Sequence, residues 1–428
     1  MKKRRSTSGL IAAGAGCVMV AMCAGSLPRV HGQARRATSS MAAVPTEKGG
    51  EDLFGPYEVV ENWPKPISSL PGHEKWTWGS MNGVFAESPD RIFLFQRGEA
   101  PVLKRPDGVA VPQFGPSLSF PVNGMPFRNI SQGPVSSPPG PPGEGGETTW
   151  KGKYDVDARW EHCLVVVNAA GDIVEQWTQW DRMFKRPHAV FINPYDPEKS
   201  VWVVDDMRQA IFKFSNDGKK LLQTIGTLNQ EGNDETHLGR PTYIAWLPDS
   251  TMFVSDGYAN SRVVKFDRNG KYLTSWGQKG EAGKETRPGY FNSVHGIAVD
   301  PVTRRVYVND RLNHRVEVFD DNGKFLDQWP FSPISNVYDL YMTGDRYLWA
   351  SDDTTSKMLQ YDLDGHLLYS WGIRGDGPGA LWGAHQISVD TNGHLYIAEA
   401  ENGRAQQFRP RRGANPEFLV GKPPRGAW

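Results

Sequence analysis

The sequence predicts an all-β protein, a six-bladed β-propeller, and three observations carry that prediction. A unit of four short apolar segments recurs six times, at a period of roughly 40 to 50 residues. Turn signals such as "PDS", "RNGK", "DNGK" and "LDGH" punctuate the units. Helical periodicity is absent through the repeated region.

The chain opens with "MKKRRSTSGLIAAGAGCVMVAMCAGSLPRVHGQA", a basic head followed by an apolar and then a small-residue stretch. Residues 1–32 are therefore expected to be a removed export signal, which places the protein in a periplasm or outside the cell. The apolar run is short for a spanning helix, so no stable membrane insertion is expected. Arg4-Arg5 leaves the general and the twin-arginine export routes both open. Residues 33–54 read as a disordered leader, and 55–428 as the propeller. Cys163 is the one thiol left after the signal departs, so the core rather than a disulfide must hold the fold.

Bulk composition fits this picture. Apolar residues make up 38%, enough for a packed core, and charged residues 22%, too few for a disordered chain. The 48 basic and 48 acidic side chains cancel, which gives no electrostatic case for nucleic acid or an anionic membrane. A monomer is expected.

The first unit is the faint copy "MNGVFAESPDRIFLFQRGEAPVLKRP". After it, before the second unit, comes the insertion 105–160, whose "SSPPGPPGEGGETTWKGKYD" is too rich in Pro and Gly for a packed layer and reads as a surface loop. The second unit starts at "RPHAVFINP" and the third at "RPTYIAWLP". "NSVHGIAVD", "SNVYDLYMT" and "GAHQISVDT" open the last three. Val84, Ala189, Tyr243, Gly296, Tyr338 and Gln386 are taken as equivalent positions. The succession "GIAVD", "VYVND", "NHRVEVFD", "GKFLDQW" resembles NHL repeats, and Trp202, Trp276, Trp329 and Trp371 are expected to fill the gaps between blades.

The innermost strand of a blade lines the central channel, so equivalent slots face one axis. His188, His295 and His385 occupy one such slot in blades two, four and six. Blades one, three and five carry Gly83 or a neighbour, Thr242 and Val337 there. Alternate blades stand about 120° apart in a six-bladed ring, so the imidazoles would converge on one cation and leave a coordination position open, the pattern of catalytic zinc. Each histidine could instead hydrogen-bond a neighbouring blade. The other histidines, among them His73 and His162, read as loop or surface residues, and His314 stands apart beside Arg311.

The segment "VSDGYANSRVVKFDRNGKYLTSWG" resembles the peptidyl-α-hydroxyglycine α-amidating lyases, whose Asp-Gly-Tyr-Cys-Asn-Ser-Arg motif has Ala259 here in place of its cysteine. "RPHAVFI", "SVHGIAV" and "GAHQISV" fall at that family's three zinc histidines, and the similarity runs along nearly all six units outside the insertion. It implies zinc on His188, His295 and His385. Tyr258 would be the catalytic base, with Arg97 beside it and Arg311 on the substrate carboxylate or the developing charge. The substrate would be a peptidyl-α-hydroxyglycine, or a related small peptide or α-hydroxy amide, cleaved at its C–N bond to an amide and glyoxylate. It also implies a calcium on the main-chain carbonyls of Val84 and Val190, although Gln386 stands where the family has an aspartate ligand, a neutral group in place of an anion. No copper monooxygenase domain is expected ahead of the propeller.

Plainer roles stay open: "DGYANSR" as a turn in which Asp256 and Asn260 bond backbone and Arg262 ties blades together, and Arg311 in an ion pair between blades. Two other functions also stay open, a metal-dependent propeller hydrolase of the lactonase kind and a binding scaffold without catalysis.

Overall fold

The computed structural model describes residues 53–101, 108–110, 119–121 and 159–424. The expected export signal, nearly all of the leader and most of the insertion lie outside them. Alternating apolar segments and tight turns fold into six four-stranded antiparallel sheets. From inner to outer strand, blade one is Met81–Ser88, Arg91–Gln96, Leu164–Val167 and Ile173–Gln176. Blade two runs from Pro187–Ile192 out to Leu221–Ile225, and blade three from Pro241–Trp246 to Tyr272–Trp276. Blade four runs from Val294–Val299 to Phe325–Pro330, and blade five from Val337–Met342 to Leu367–Trp371.

Blade six is built from both ends of the described chain. Ala384–Val389, Leu395–Glu399 and Arg404–Pro410 supply three strands, and Tyr57–Val59 adds the fourth, with Tyr57 opposite Pro410. The ring thereby closes with hydrogen bonds between the two ends of the described chain. One expectation needs correcting here: the insertion does not separate blades one and two. It lies within blade one, between Arg91–Gln96 and Leu164–Val167, so the chain finishes that blade only after the excursion. Within it, Gly108–Ala110 and Ser119–Pro121 pair as a short hairpin.

The core is divided among the blade interfaces. Six clusters of buried apolar residues are found among the described residues, each joining two neighbouring blades. Tyr396 and Ala398 of blade six, for example, pack with Val84, Leu94 and Val165 of blade one. Trp276, Trp329 and Trp371 lie at or next to the ends of outer strands and beneath a turn glycine of the next blade. A Cβ on Gly365 would fall 1.2 Å from the Trp329 ring, and its φ of +88° suits glycine alone. Trp202 fills its interface differently, against Trp246 at 6.1 Å between ring centroids. Among the described residues no helix is long and apolar enough to cross a membrane.

Candidate active site

The inner strands are mostly buried, and each carries a β-bulge near its start, which turns one side chain away from the regular pleat. In blade two Pro187 pairs with Asp205 and Ala189 with Val204, which makes His188 the extra residue. His385 sits in the same way between Ala384 and Gln386, and His295 in the bulge between Val294 and Ile297. The three imidazoles meet. Ring centroids are 5.0 Å apart for His188 and His295, 4.7 Å for His188 and His385, and 5.3 Å for His295 and His385. One ligand nitrogen from each lies within 4.8 Å of the others.

Strand register places the matching slots of the other blades at Asn82, Thr242 and Tyr338. Val337, expected in blade five, is instead the residue paired with Asp352, and Tyr338 follows it into the bulge. Val84 and Tyr338 are likewise one residue out of step with Ala189, Tyr243, Gly296 and Gln386, whose true equivalents are Gly83 and Asp339.

Backbone carbonyls orient two of the rings. His295 Nδ1 lies 2.8 Å from the Tyr338 carbonyl and His385 Nδ1 2.7 Å from that of Asn82. Each Nδ1 therefore carries the proton, and Nε2 keeps its lone pair for a ligand. His188 Nδ1 is buried and has no hydrogen-bond partner among the described residues. Burial, with His385, His295 and Arg97 adding to it, holds His188 well below the usual imidazole range. Burial and Arg311 do the same for His295, and burial and Arg97 bring His385 down to about 3. Three neutral imidazoles, two of them with backbone-fixed lone pairs, suit a zinc ion. Below them, the Tyr243 ring lies 5.1 to 5.7 Å from all three and its hydroxyl meets the His385 carbonyl, a floor that sequence reading did not assign.

Tyr258 reaches the same point from a loop of blade three. Its hydroxyl is 2.9 Å from His295 Nε2 and 3.2 Å from His188 Nε2. The rest of its motif is scaffold. Asp256 accepts from Gly239 N–H at 2.6 Å, Asn260 Nδ2 at 2.7 Å and Arg262 Nε at 2.8 Å, and Arg262 also donates to the carbonyls of Asp234 and His237. Gly257 is pressed on blade four, where an added Cβ would sit 1.6 Å from the Val294 carbonyl oxygen. The same clasp recurs as Asp310–Arg315 and Glu399–Arg404, so Arg315 rather than Arg311 is the counterpart of Arg262.

Guanidinium groups surround the tyrosine. Arg240 lies 4.7 Å, Arg311 5.1 Å and Arg186 5.6 Å from its ring centroid. Asp206 pairs with both Arg186 and Arg240. Arg97 and Arg311 form no salt bridge among the described residues. Arg311 donates to Ser293 Oγ at 3.0 Å, and Arg97 donates to the Pro187 carbonyl, next to His188, at 3.2 Å. Burial and the neighbouring Arg186 bring Arg97 down to about 9. Arg186 and Arg240 were absent from the sequence expectations, although both precede proline in the repeated "RPH" and "RPT".

The calcium pair is arranged otherwise. Gln386 Oε1 accepts from Val84 N–H at 3.2 Å and Val190 N–H at 3.1 Å, while its Nε2 donates to the Val190 carbonyl at 2.8 Å. The amide thus fills the space with an N–H₂ donor, and this set does not fit a calcium ion. Two histidines read as surface residues, His73 and His162, are buried.

No family model matches the chain. Part of it is similar to peptidylglycine alpha-amidating monooxygenase of Rattus norvegicus, 36% identical over 144 residues, or 33% of this chain and 14% of that protein. Another match is peptidyl-alpha-hydroxyglycine alpha-amidating lyase 1 of Drosophila melanogaster, 32% identical over 184 residues, covering 41% of this chain and 33% of the relative. NHL repeat-containing protein 3 of Mus musculus is 32% identical over 159 residues, 35% of this chain and 44% of that one. The matched region thus spans a seventh to less than half of these relatives. Among solved structures, virginiamycin B lyase from Staphylococcus aureus aligns with a TM-score of 0.44 and 10% identity, over 82% of this chain and 99% of the lyase. In sequence, the chain is a relative of the peptidyl-α-hydroxyglycine α-amidating lyases and of NHL repeat proteins, carried on a six-bladed propeller.

Proposed function

We propose that the protein is an exported, zinc-dependent lyase that cleaves the C–N bond of a peptidyl-α-hydroxyglycine, or a close α-hydroxy amide, to a primary amide and glyoxylate. One observation carries the reading: three neutral imidazoles meet within 4.8 Å and the Tyr258 hydroxyl lies within hydrogen-bond reach of two of them. His188, His295 and His385 would hold the zinc, which as a Lewis acid makes a nearby hydroxyl more acidic and stabilises developing negative charge. Tyr258 takes the substrate's hydroxyl proton, the C–O bond becomes a carbonyl, and the C–N bond breaks. The same proton returns to the departing nitrogen, so the products are a neutral amide and an aldehyde with no redox change. Arg311 and Arg97, which form no salt bridge among the described residues, hold the substrate carboxylate. Arg186 and Arg240, already paired with Asp206, keep the wall around Tyr258 positive.

Glyoxylate release from an α-hydroxyglycine peptide, measured with zinc content, tests this. The expected result is one equivalent of zinc in the channel and product release, both lost in His295→Ala. A folded chain that releases no glyoxylate with zinc bound would refute the lyase reading and leave the hydrolase or the scaffold.

A further inference from the structure

Outside the channel, four side chains at the foot of blade one gather in a second cluster. His73 follows the short 3-10 turn Ile67–Ser69, Glu99 lies on the strand Glu99–Pro101, and Glu161 and His162 lead into Leu164–Val167. One donor atom from each lies within 4.8 Å of all the others. Glu99 divides its carboxylate between the rings, with Oε2 2.8 Å from His73 Nδ1 and Oε1 2.6 Å from His162 Nδ1. Glu161 Oε2 lies 4.0 Å from His73 Nε2.

We propose that His73, Glu99, Glu161 and His162 form a second, structural site for a divalent transition cation of the zinc class. Two imidazole nitrogens and two carboxylate oxygens are the borderline donors such ions select. Glu99 is 1% exposed, and among the described residues no lysine or arginine pairs with it, so its buried charge faces only the two imidazoles. The far side of His162 supports ligation too. Its Nε2 lies 3.1 Å from Gln176 Oε1, the acceptor an imidazole needs when the opposite nitrogen binds a metal. Ligands at about 2.0 Å in a tetrahedron stand about 3.3 Å apart, so the two Glu99 separations need a small expansion, while Glu161 Oε2, which Arg159 holds at 3.0 Å, must close in from 4.0 Å. A cavity of about 500 Å³ lined by His73, Glu161 and His162 gives the ion a way in.

The site joins three parts of the chain. Glu99 and Arg159 exchange both backbone hydrogen bonds, at 2.7 and 3.0 Å, which clamps the two ends of the long excursion from blade one. A cation on Glu99 and His162 reinforces that clamp, and His73 ties the N-terminal strap to it. The ion is structural, and its site is independent of the channel reading.

Zinc titration of the metal-stripped full chain tests the proposal. With the channel ligands removed (His188→Ala, His295→Ala, His385→Ala), one equivalent of zinc should remain and should vanish when His73→Gln and His162→Gln are added. Where the channel variant does not fold, the otherwise unaltered chain serves: His73→Gln with His162→Gln should bind one equivalent less and should lose the zinc-dependent rise in melting temperature. Equal zinc content with and without these two histidines, or a folded channel variant that binds none, overturns the site.

Discussion

The Tyr258 hydroxyl lies 2.9 Å from His295 Nε2, a contact between a loop of blade three and the inner strand of blade four. His295 donates its Nδ1–H to the Tyr338 carbonyl in a hydrogen bond, so the nitrogen facing Tyr258 is a bare acceptor. The phenol therefore stands against a ligand nitrogen with its proton shared, which is where a proton shuttle is needed.

Tyr258→Phe removes that group and little else, because the ring's packing against the arginines is retained. Glyoxylate release should fall by about 10²–10⁴-fold in kcat with zinc content and KM nearly unchanged. Steady-state kinetics with elemental analysis checks this, and an unaltered kcat takes the tyrosine out of the mechanism.

Arg311 binds Ser293 Oγ and forms no salt bridge among the described residues, which leaves its charge for the substrate. Arg311→Ala should lower kcat/KM by roughly 10- to 100-fold, the range of a lost charge-assisted hydrogen bond. A substrate amidated at its terminal carboxylate should lose this dependence. Equal losses for both substrates would assign Arg311 to packing.

Gly257→Ala puts a methyl where the Val294 carbonyl oxygen stands, 1.6 Å away. Neither backbone can yield without moving Tyr258 or the strand holding His295. A lower melting temperature, reflecting a loss of about 1–3 kcal/mol of stability, should accompany loss of activity. A variant as stable and active as the parent would contradict the packing described.

Asp339 is a buried acid of the inner strand in blade five, pushed up to about 7 by desolvation against the opposing Ile387 N–H. A folded pKa above the unfolded value means its contribution is full below about pH 4 and disappears as pH rises through about 7. Asp339→Asn should therefore gain stability over the parent at pH 8 relative to pH 5, by on the order of 2 kcal/mol. Denaturant melts at the two pH values measure it, and a pH-independent difference would place the ionised form in the folded state.

Much of the site was legible because its signals are local. Histidine before an apolar strand, repeated in alternate units, located His188, His295 and His385, and the motif around Tyr258 located the tyrosine. Arg186 and Arg240 escaped because a guanidinium before a proline looks like any exposed cation until the ring closes. His73 and His162 looked like surface residues because their partner Glu99 is remote along the chain from one and separated by an insertion from the other. Within "DGYANSR" the sequence left a turn role and a site role both open, and the structure divides them: Asp256, Asn260 and Arg262 bond to one another and to backbone, and Tyr258 reaches the histidines.

By itself the sequence determined the number of blades, the strand pattern and which blades carry an imidazole, since strand period and turn chemistry act over a few residues. Tertiary structure decided the register, placing Tyr338 rather than Val337 in the fifth slot, because a single bulged residue turns every later side chain to the other face. It also decided the closure, with Tyr57–Val59 completing the last blade, and the electrostatics, with four guanidinium groups and three imidazoles drawn from five of the six blades. Distances across a ring depend on every blade packing on the next, and no short stretch of chain encodes them.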